Sequence, residues 1–144
     1  MPSRRYPMLQ TRGGERPLVP LGDLLLDRWR RSPTTSEPSS PMIHVAVLKL
    51  DIEGAELGAL QDLWRLCAAG ALAVDQLTVE VHAAVESPLQ LSDLHAMFAS
   101  APACGLMLHH KEVNTWGCRG IFCVEFSWVS QAHARRVMEA TMVL

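Results

Sequence analysis

The sequence predicts an α/β fold in which a sheet is flanked by helices, and three observations support this. Segments of helical periodicity alternate with short β-branched apolar runs, as in sheets whose strands are joined by crossover helices. The first of these runs, His44–Ile52, is almost continuously apolar, as expected for a strand covered on both faces. The last two runs are separated only by Asn114–Gly120, which is too short for a crossover helix and predicts an antiparallel pair. We therefore expect a three-layer sandwich with right-handed crossovers.

The first 41 residues differ in composition from the remainder and are interpreted as a basic, proline-rich leader. They contain seven of the nine prolines, with seven Lys+Arg and four Asp+Glu, a formal charge of +3. Residues 42–144 contain six Lys+Arg and eleven Asp+Glu, a formal charge of −5, and form the predicted globular domain. Within the leader, leucines and Trp29 at helical spacing predict a short helix over 21–31. The composition of Ser32–Pro41 predicts a linker.

The order of elements in the domain follows from its periodicity and its breaker residues. After the first strand, an apolar stripe of 3.6-residue period continues from Leu57 to a glycine stop at Gly70. The later predicted elements are a strand at Asp75–His82, a helix from Leu91 ending near Pro102, strands at Gly105–Val113 and Ile121–Val129, and a helix through Met138. Ser130 is the expected N-cap of that last helix.

Charge, hydropathy and cysteine spacing exclude several classes of protein. A formal net charge of −2 and a pI of about 6.3 favour neither nucleic acid nor an anionic membrane as partner. The longest apolar run, Leu66–Val74, has nine residues where a membrane span needs about 20. With no signal-peptide core either, a cytoplasmic location is predicted. The four cysteines form no close CxxC pair, so reduced core thiols are expected rather than a zinc knuckle or a disulfide scaffold.

Acidic residues and a histidine follow the first two strands of the domain. Asp51 and Glu53 are two residues apart, so they point to one face of an extended segment, and Glu56 lies in the first turn of the next helix. Glu80 and His82 end the second strand. Because ligands bind outside the carboxyl ends of strands in open α/β sheets, we expect these five side chains to converge at one rim.

Structural roles compete with functional ones at this rim. Glu56 is a carboxylate favoured by the helix dipole, and the structural alternative for Glu80 is an ion pair with Lys49 on the neighbouring strand. Oxygen ligands and an imidazole suit Mg²⁺ or Mn²⁺, but the spacing is not a recognised metal signature, and no metal is predicted. His109 and His110 are adjacent in a strand, so they are expected to face opposite ways and to be structural.

Four segments taken in order resemble the FkbM-type branch of class I S-adenosylmethionine-dependent methyltransferases: VLKLDIEGAELGAL, TVEVH, LHHKEVN and VEFSWV. Lys49 to Glu56 matches the family segment K-[ILV]-D-[ILV]-E-G-[AS]-E at every position. Glu80 and His82 match an E-x-H strand ending, and Glu125 to Val129 match E-x-S-W-V. The resemblance covers roughly residues 18–130.

The resemblance implies a Rossmann-like sheet with strand order 3-2-1-4-5-7-6 and an antiparallel seventh strand, of which this chain matches strands four to seven. The family's glycine-rich turn after the first strand and its acid after the second have no counterpart. Gly13-Gly14 is expected to follow no strand and to open no helix. The chain is therefore predicted to be the carboxyl-terminal half of such a domain.

The implied activity is O-methylation of a sugar or another small hydroxylated metabolite, with S-adenosylmethionine as cofactor. Asp51 and His82 are then the catalytic candidates, and Glu53, Glu56 and Glu80 support the site or face the substrate. The alternatives are a non-catalytic interaction module or a decayed paralogue. A metal-dependent hydrolase ranks last, because the sequence offers no nucleophile for it. Without the first strand of the family fold, 44–52 is expected to be an exposed edge through which the chain self-associates.

Overall fold

The computed structural model describes residues 8–11, 14–17, 19–30, 42–82, 91–115 and 123–142. The elements are β1 Met8–Thr11, β2 Gly14–Pro17, α1 Leu21–Arg30, β3 Ile43–Leu50, α2 Glu56–Ala68, β4 Leu72–His82, α3 Leu91–Ser100, a 3₁₀ turn Ala101–Cys104, β5 Leu106–Val113, β6 Cys123–Ser130 and α4 Gln131–Thr141. Every helix and strand predicted for the domain is present, with bounds that differ by a few residues.

The domain is α/β with a mixed, open, four-stranded sheet of order β3-β4-β6-β5. β3 and β4 are parallel, as expected for strands joined by a helix, and β6 is antiparallel to both β4 and β5. The predicted antiparallel pairing of the last two strands is thus confirmed. Since β3 and β4 run in one direction, their carboxyl ends meet at one rim of the sheet.

The core lies between alternate residues of β4 and β6 and the helices that contact one another, α1, α2 and α3. Leu77 and Val79 are fully buried beside their cross-strand partners Trp128 and Phe126. Phe98 of α3 packs edge-on against Phe126, with ring centroids 5.0 Å apart. Burial of each such side chain contributes about 1.5–3 kcal/mol, so this face of the sheet holds the domain together.

The three-layer arrangement is found only in part. Among the described residues, α4 has no buried side chain, so it adds no layer comparable to α1–α3. The expectation that β3 is covered on both faces is wrong, because Val47 is 63% exposed and Lys49 is exposed as well. An apolar run in the sequence shows that a strand can be buried, but not that this chain supplies the covering residues.

The leader contains structure that its composition did not predict. β1 and β2 form a small antiparallel sheet in which Thr11 pairs with Gly14. The expectation that Gly13-Gly14 follows no strand is therefore wrong, although the next element is a strand and not a helix. The predicted linker, Ser32–Pro41, lies outside the described residues.

The helix predicted in the leader is confirmed as α1, and it packs across α2. The backbone N–H of Gly22 donates to Asp62 Oδ2 at 2.6 Å. A Cβ at residue 22 would lie only 3.0 Å from the side chain of Leu66, so glycine permits this close approach. Among the described residues, no helix is long and apolar enough to cross a membrane.

Asp75 anchors α4 at the end of the sheet opposite the rim. Its Oδ1 accepts a hydrogen bond from Arg136 Nη2 at 2.8 Å and lies 3.2 Å from His44 Nε2. Burial raises the pKa of Asp75, but the hydrogen bonds from Arg136 and His44 outweigh burial and leave that pKa below its ordinary value. The predicted cap is also confirmed, since Ser130 Oγ accepts from the N–H of His133 at 3.0 Å.

β3 is a sheet edge among the described residues, since it pairs there only with β4. We expect the chain to self-associate by strand pairing along this edge, and a lysine at Val47 to shift the population toward monomer. Size exclusion coupled to light scattering measures the shift. The matched control is Val137→Lys, which places the same charge on a 50% exposed valine of α4 and should change nothing. A wild-type monomer that persists at high protein concentration would contradict the expectation.

Candidate functional site

The rim is formed where β3 turns sharply into α2. Asp51 directly follows β3, and Glu53 and Gly54 then take φ values of 56° and 102°. A positive φ is ordinary for glycine but costs a non-glycine residue energy, so Glu53 adopts it only because its surroundings enforce it. The turn leaves the Glu53 side chain 85% exposed and that of Asp51 40% exposed, both facing the rim.

Glu56 holds this turn together from inside. Only 2% of the residue is exposed, and its Oε1 accepts hydrogen bonds from the N–H groups of Ile52 at 3.0 Å and Gly54 at 3.1 Å. The preceding residue, Ala55, has no side chain that could cap α2. Glu56 therefore satisfies backbone donors that would otherwise be unpaired, which is a more specific role than the favourable dipole position that the sequence predicted.

His82 at the end of β4 is oriented by the same carboxylate. Its Nδ1 lies 2.9 Å from Glu56 Oε1, and its side chain is 13% exposed. The opposite ring nitrogen, Nε2, lies 3.6 Å from Glu53 Oε2 and 3.9 Å from both Asp51 Oδ1 and Glu80 Oε1. The structure thus brings all five predicted site residues together around one imidazole.

The electrostatics of the rim favour a protonated imidazole. Burial lowers the pKa of His82, but the hydrogen bond and charge of Glu56, with the charges of Glu53 and Glu80, outweigh it and raise that pKa above its ordinary value. With Nδ1 directed at Glu56, it is Nε2 that gains and loses the proton toward the rim. A carboxylate that fixes an imidazole in this way is a common arrangement for proton transfer.

Lys49 and Glu80 do not form the ion pair that was the structural alternative for Glu80. Lys49 Nζ instead donates to Glu125 Oε2 at 3.2 Å, and Glu80 Oε1 accepts from Asn114 Nδ2 at 2.7 Å. β6 stands between β4 and β5, so its Glu125 lies opposite Glu80 in the antiparallel register. Sequence reasoning missed Asn114 as a rim residue, since its contact depends on this strand order and on no local motif.

The rim contains atoms that a metal ion could bind. Ligand atoms of Asp51, Glu53 and His82 lie within 4.8 Å of one another, as do those of Glu80, His82 and Cys123. Carboxylates with an imidazole suit Mg²⁺ or Mn²⁺. Cys123 is disulfide-bonded, however, so it offers no thiolate. A cluster of acids with one histidine does not by itself assign a metal, and we assign none.

The expectation of reduced thiols is wrong for Cys123 and confirmed for Cys67 and Cys104, which are free and half-buried. Cys118 lies outside the described residues. Sequence spacing disfavours a CxxC pair but does not test other pairings. For this reason the disulfide was not predicted.

His109 and His110 do not follow the predicted alternation. The pairing of β5 with β6 is irregular between Leu108 and His110, which breaks the period of two. The two rings lie near each other, with centroids 6.4 Å apart, and both residues are exposed. Within the described part of the chain, no hydrogen bond or ion pair joins either histidine to the rim around His82.

Comparisons with known proteins identify no relative. No family model, curated protein or solved structure matches the chain.

Replacing Glu56 by glutamine tests its role as the organiser of the rim. We expect Glu56→Gln to lower the pKa of His82, which NMR of the ring nitrogens measures. We also expect it to lower the free energy of unfolding by about 1–3 kcal/mol. Glu56 raises the pKa of His82, so its carboxylate stabilises the fold by binding the imidazolium. This contribution to stability is fully present at pH values below the ordinary histidine pKa of about 6.5. That stabilisation is lost as the pH rises through the higher pKa of the folded state.

The matched control is Glu112→Gln, which changes an exposed carboxylate 3.7 Å from His110 Nε2. We expect little change in stability from that variant, because exposed ion pairs contribute little. An unchanged His82 titration in Glu56→Gln would show that Glu56 does not control the imidazole.

Proposed function

We propose that the rim is the acceptor side of a methyltransferase site and that the chain is the carboxyl-terminal half of a class I S-adenosylmethionine-dependent O-methyltransferase domain. The observation that carries the proposal is the imidazole of His82, held by the buried Glu56 at 2.9 Å with Nε2 facing Asp51 and Glu53. Proton acceptors placed at the carboxyl ends of adjacent parallel strands are what deprotonation of a bound hydroxyl requires.

The topology supports the same assignment. The order β3-β4-β6-β5, with β6 reversed, is the order 4-5-7-6 with an antiparallel seventh strand that the sequence resemblance implies. The segment Lys49 to Glu56, on which the resemblance chiefly depends, forms the end of β3, the sharp turn and the start of α2. The most specific motif therefore coincides with the rim, and not with a remote packing element.

The family's glycine-rich cofactor turn is not found among the described residues. A glycine-rich turn would have to join a strand to a helix, whereas β1 leads into the antiparallel β2. We therefore derive only what the rim does to an acceptor. When bound, S-adenosylmethionine would supply the methyl group and leave as S-adenosylhomocysteine. His82 Nε2 takes the proton of the acceptor hydroxyl whose oxygen receives that methyl group, and the Glu56 carboxylate stabilises the resulting imidazolium. Asp51, which is partly exposed, is the alternative acceptor for that proton.

Binding of S-adenosylmethionine tests the assignment to a half-domain. We expect weak binding or none, with a dissociation constant in the millimolar range, about −4 kcal/mol, or above it. A low micromolar constant, measured by calorimetric titration, would show that the chain holds a complete cofactor site and would refute the half-domain.

Turnover tests the acceptor role of Asp51 in a domain that also contains the cofactor-binding half. We expect Asp51→Asn to lower turnover on the order of 100- to 10,000-fold with little change in melting temperature. The matched control is Asp75→Asn at the other end of the sheet, which should lower the melting temperature and leave turnover per folded molecule unchanged. Unchanged turnover in Asp51→Asn would remove this residue from the catalytic role.

The second candidate is a non-catalytic interaction module, and the observation that favours it is the exposed edge of β3. Among the described residues β3 pairs only with β4, and Val47 within β3 and Ile52 just after it are 63% and 42% exposed. On this hypothesis a partner strand completes the sheet, and the rim residues only stabilise the turn. The module is favoured if Glu56→Gln loses stability and partner binding to the same extent. Asp51→Asn should then affect neither stability nor partner binding.

A further inference from the structure

Asn114 reaches the rim from the far side of β6. It directly follows β5, and its backbone N–H donates to the carbonyl oxygen of Cys123 at 3.0 Å. Its side chain extends across β6 and donates from Nδ2 to Glu80 Oε1 on β4 at 2.7 Å. Glu80 is only 7% exposed, and a buried carboxylate is costly unless donors hold it. The backbone of Asn114 thus fixes the amide, and the amide fixes one oxygen of Glu80.

The same oxygen of Glu80 faces the imidazole of His82. The two residues are two apart on β4, so their side chains lie on one face of the sheet. Glu80 Oε1 lies 3.9 Å from His82 Nε2, outside the range of about 2.7–3.2 Å for an N–H···O hydrogen bond. A movement of the carboxylate by about 1 Å would close that bond. The Asn114 amide and His82 Nε2 therefore compete for one oxygen, and the amide holds it.

We propose that Asn114 is a positioning residue that holds Glu80 away from His82 Nε2 and thereby leaves this nitrogen open to a ligand hydroxyl. The consequence for methyl transfer rests on the proposed function, whereas the placement of Glu80 does not. Nδ1 is directed at Glu56, so Nε2 is the ring nitrogen that faces the rim. A carboxylate bonded to Nε2 would occupy the position of the hydroxyl. It would also hold the proton that Nε2 must release before it acts as a base.

The charges around His82 make this separation important. The acids that face the imidazole are Glu56 of α2, Asp51 and Glu53 of the turn before α2, and Glu80 of its own strand. Cys123, opposite His82 in the register, is disulfide-bonded and carries no charge, and Lys49 is paired with Glu125. Burial lowers the pKa of His82, and the charge of Glu80 at 3.9 Å is among those that raise it. A hydrogen bond from Nε2 would raise that pKa further.

An NMR titration of the His82 ring nitrogens in the full chain tests the proposal. We expect Asn114→Ala to raise the pKa of His82 by about 1, because the released Glu80 then accepts a hydrogen bond from Nε2. Asn114→Leu has nearly the shape of asparagine and no donor, so it excludes a water that would replace the amide and should give the same rise. Adding Glu80→Gln to either variant should remove most of the rise, because a neutral amide stabilises the imidazolium less than a carboxylate does.

The matched control is Gln76→Ala, which removes an amide 3.3 Å from His133 Nε2 and should leave the titration of His82 unchanged. A fall in the pKa of His82 in Asn114→Ala would overturn the proposal, because it would show that the amide holds Glu80 toward the imidazole. An unchanged pKa would overturn it as well. The wild-type chain provides a test that needs no variant. Its Nε2 proton should exchange rapidly with water, and slow exchange would show that Glu80 already binds it, against the proposal.

Turnover in a domain that also contains the cofactor-binding half extends the test to catalysis. We expect Asn114→Ala to move the pH profile of turnover to higher pH, because His82 then loses its proton at a higher pH. The titration needs neither cofactor nor acceptor. A raised pKa of His82 without methyl transfer in that domain would therefore contradict the proposed function and support the role of Asn114.

Discussion

The buried carboxylate of Glu56 is the interaction on which the rim depends. One side chain satisfies the N–H groups of the turn after β3, occupies the first turn of α2 and fixes His82 at the end of β4. An ionised carboxylate is costly to bury unless it is fully hydrogen-bonded, and these contacts supply its partners. The loop geometry and the imidazole orientation therefore have a common origin, and a change that disrupts one is transmitted to the other.

The neighbouring acids act differently because they differ in burial. Glu80 is buried and receives its hydrogen bond from Asn114, whereas Glu53 is almost fully exposed and only its charge reaches the imidazole. Asp51 lies between these extremes, 4.0 Å from Lys49 and 3.9 Å from His82. A partly exposed acid with no short partner on the rim is the one best placed to contact a ligand, which is why we propose Asp51 and not Glu80 for contact with the acceptor.

Local patterns in the sequence were sufficient for the helices and strands of the domain and for the convergence of the site, but not for β1 and β2. The period of two in TVEVH and the stripe from Leu57 to Gly70 gave β4 and α2, and the rule that strand ends hold ligands gave the five rim residues. The order of the strands in the sheet, and the side-chain pairs that depend on it, could not be predicted from local patterns in the sequence. The insertion of β6 between β4 and β5 decides the partners of Lys49 and Glu80, and no local signal records it. Burial of β3 also failed as a prediction, because hydrophobicity describes the strand and not what covers it.

The acidity of the rim sets opposing demands on His82. Carboxylates that raise its pKa strengthen the imidazolium once a proton has been taken, but they also keep Nε2 protonated, and so unable to act as a base, over a wider range of pH. In the proposed site, a ligand would place a hydroxyl between His82 Nε2 and Asp51 and exclude water. It would separate the imidazole from the charge of the exposed Glu53 and increase the desolvation of the imidazole. Both effects lower the pKa of His82. Occupation of the rim would therefore itself prepare the base. If the rim is an acceptor site, as we propose, Glu56 serves the fold through the turn after β3 and the chemistry through His82.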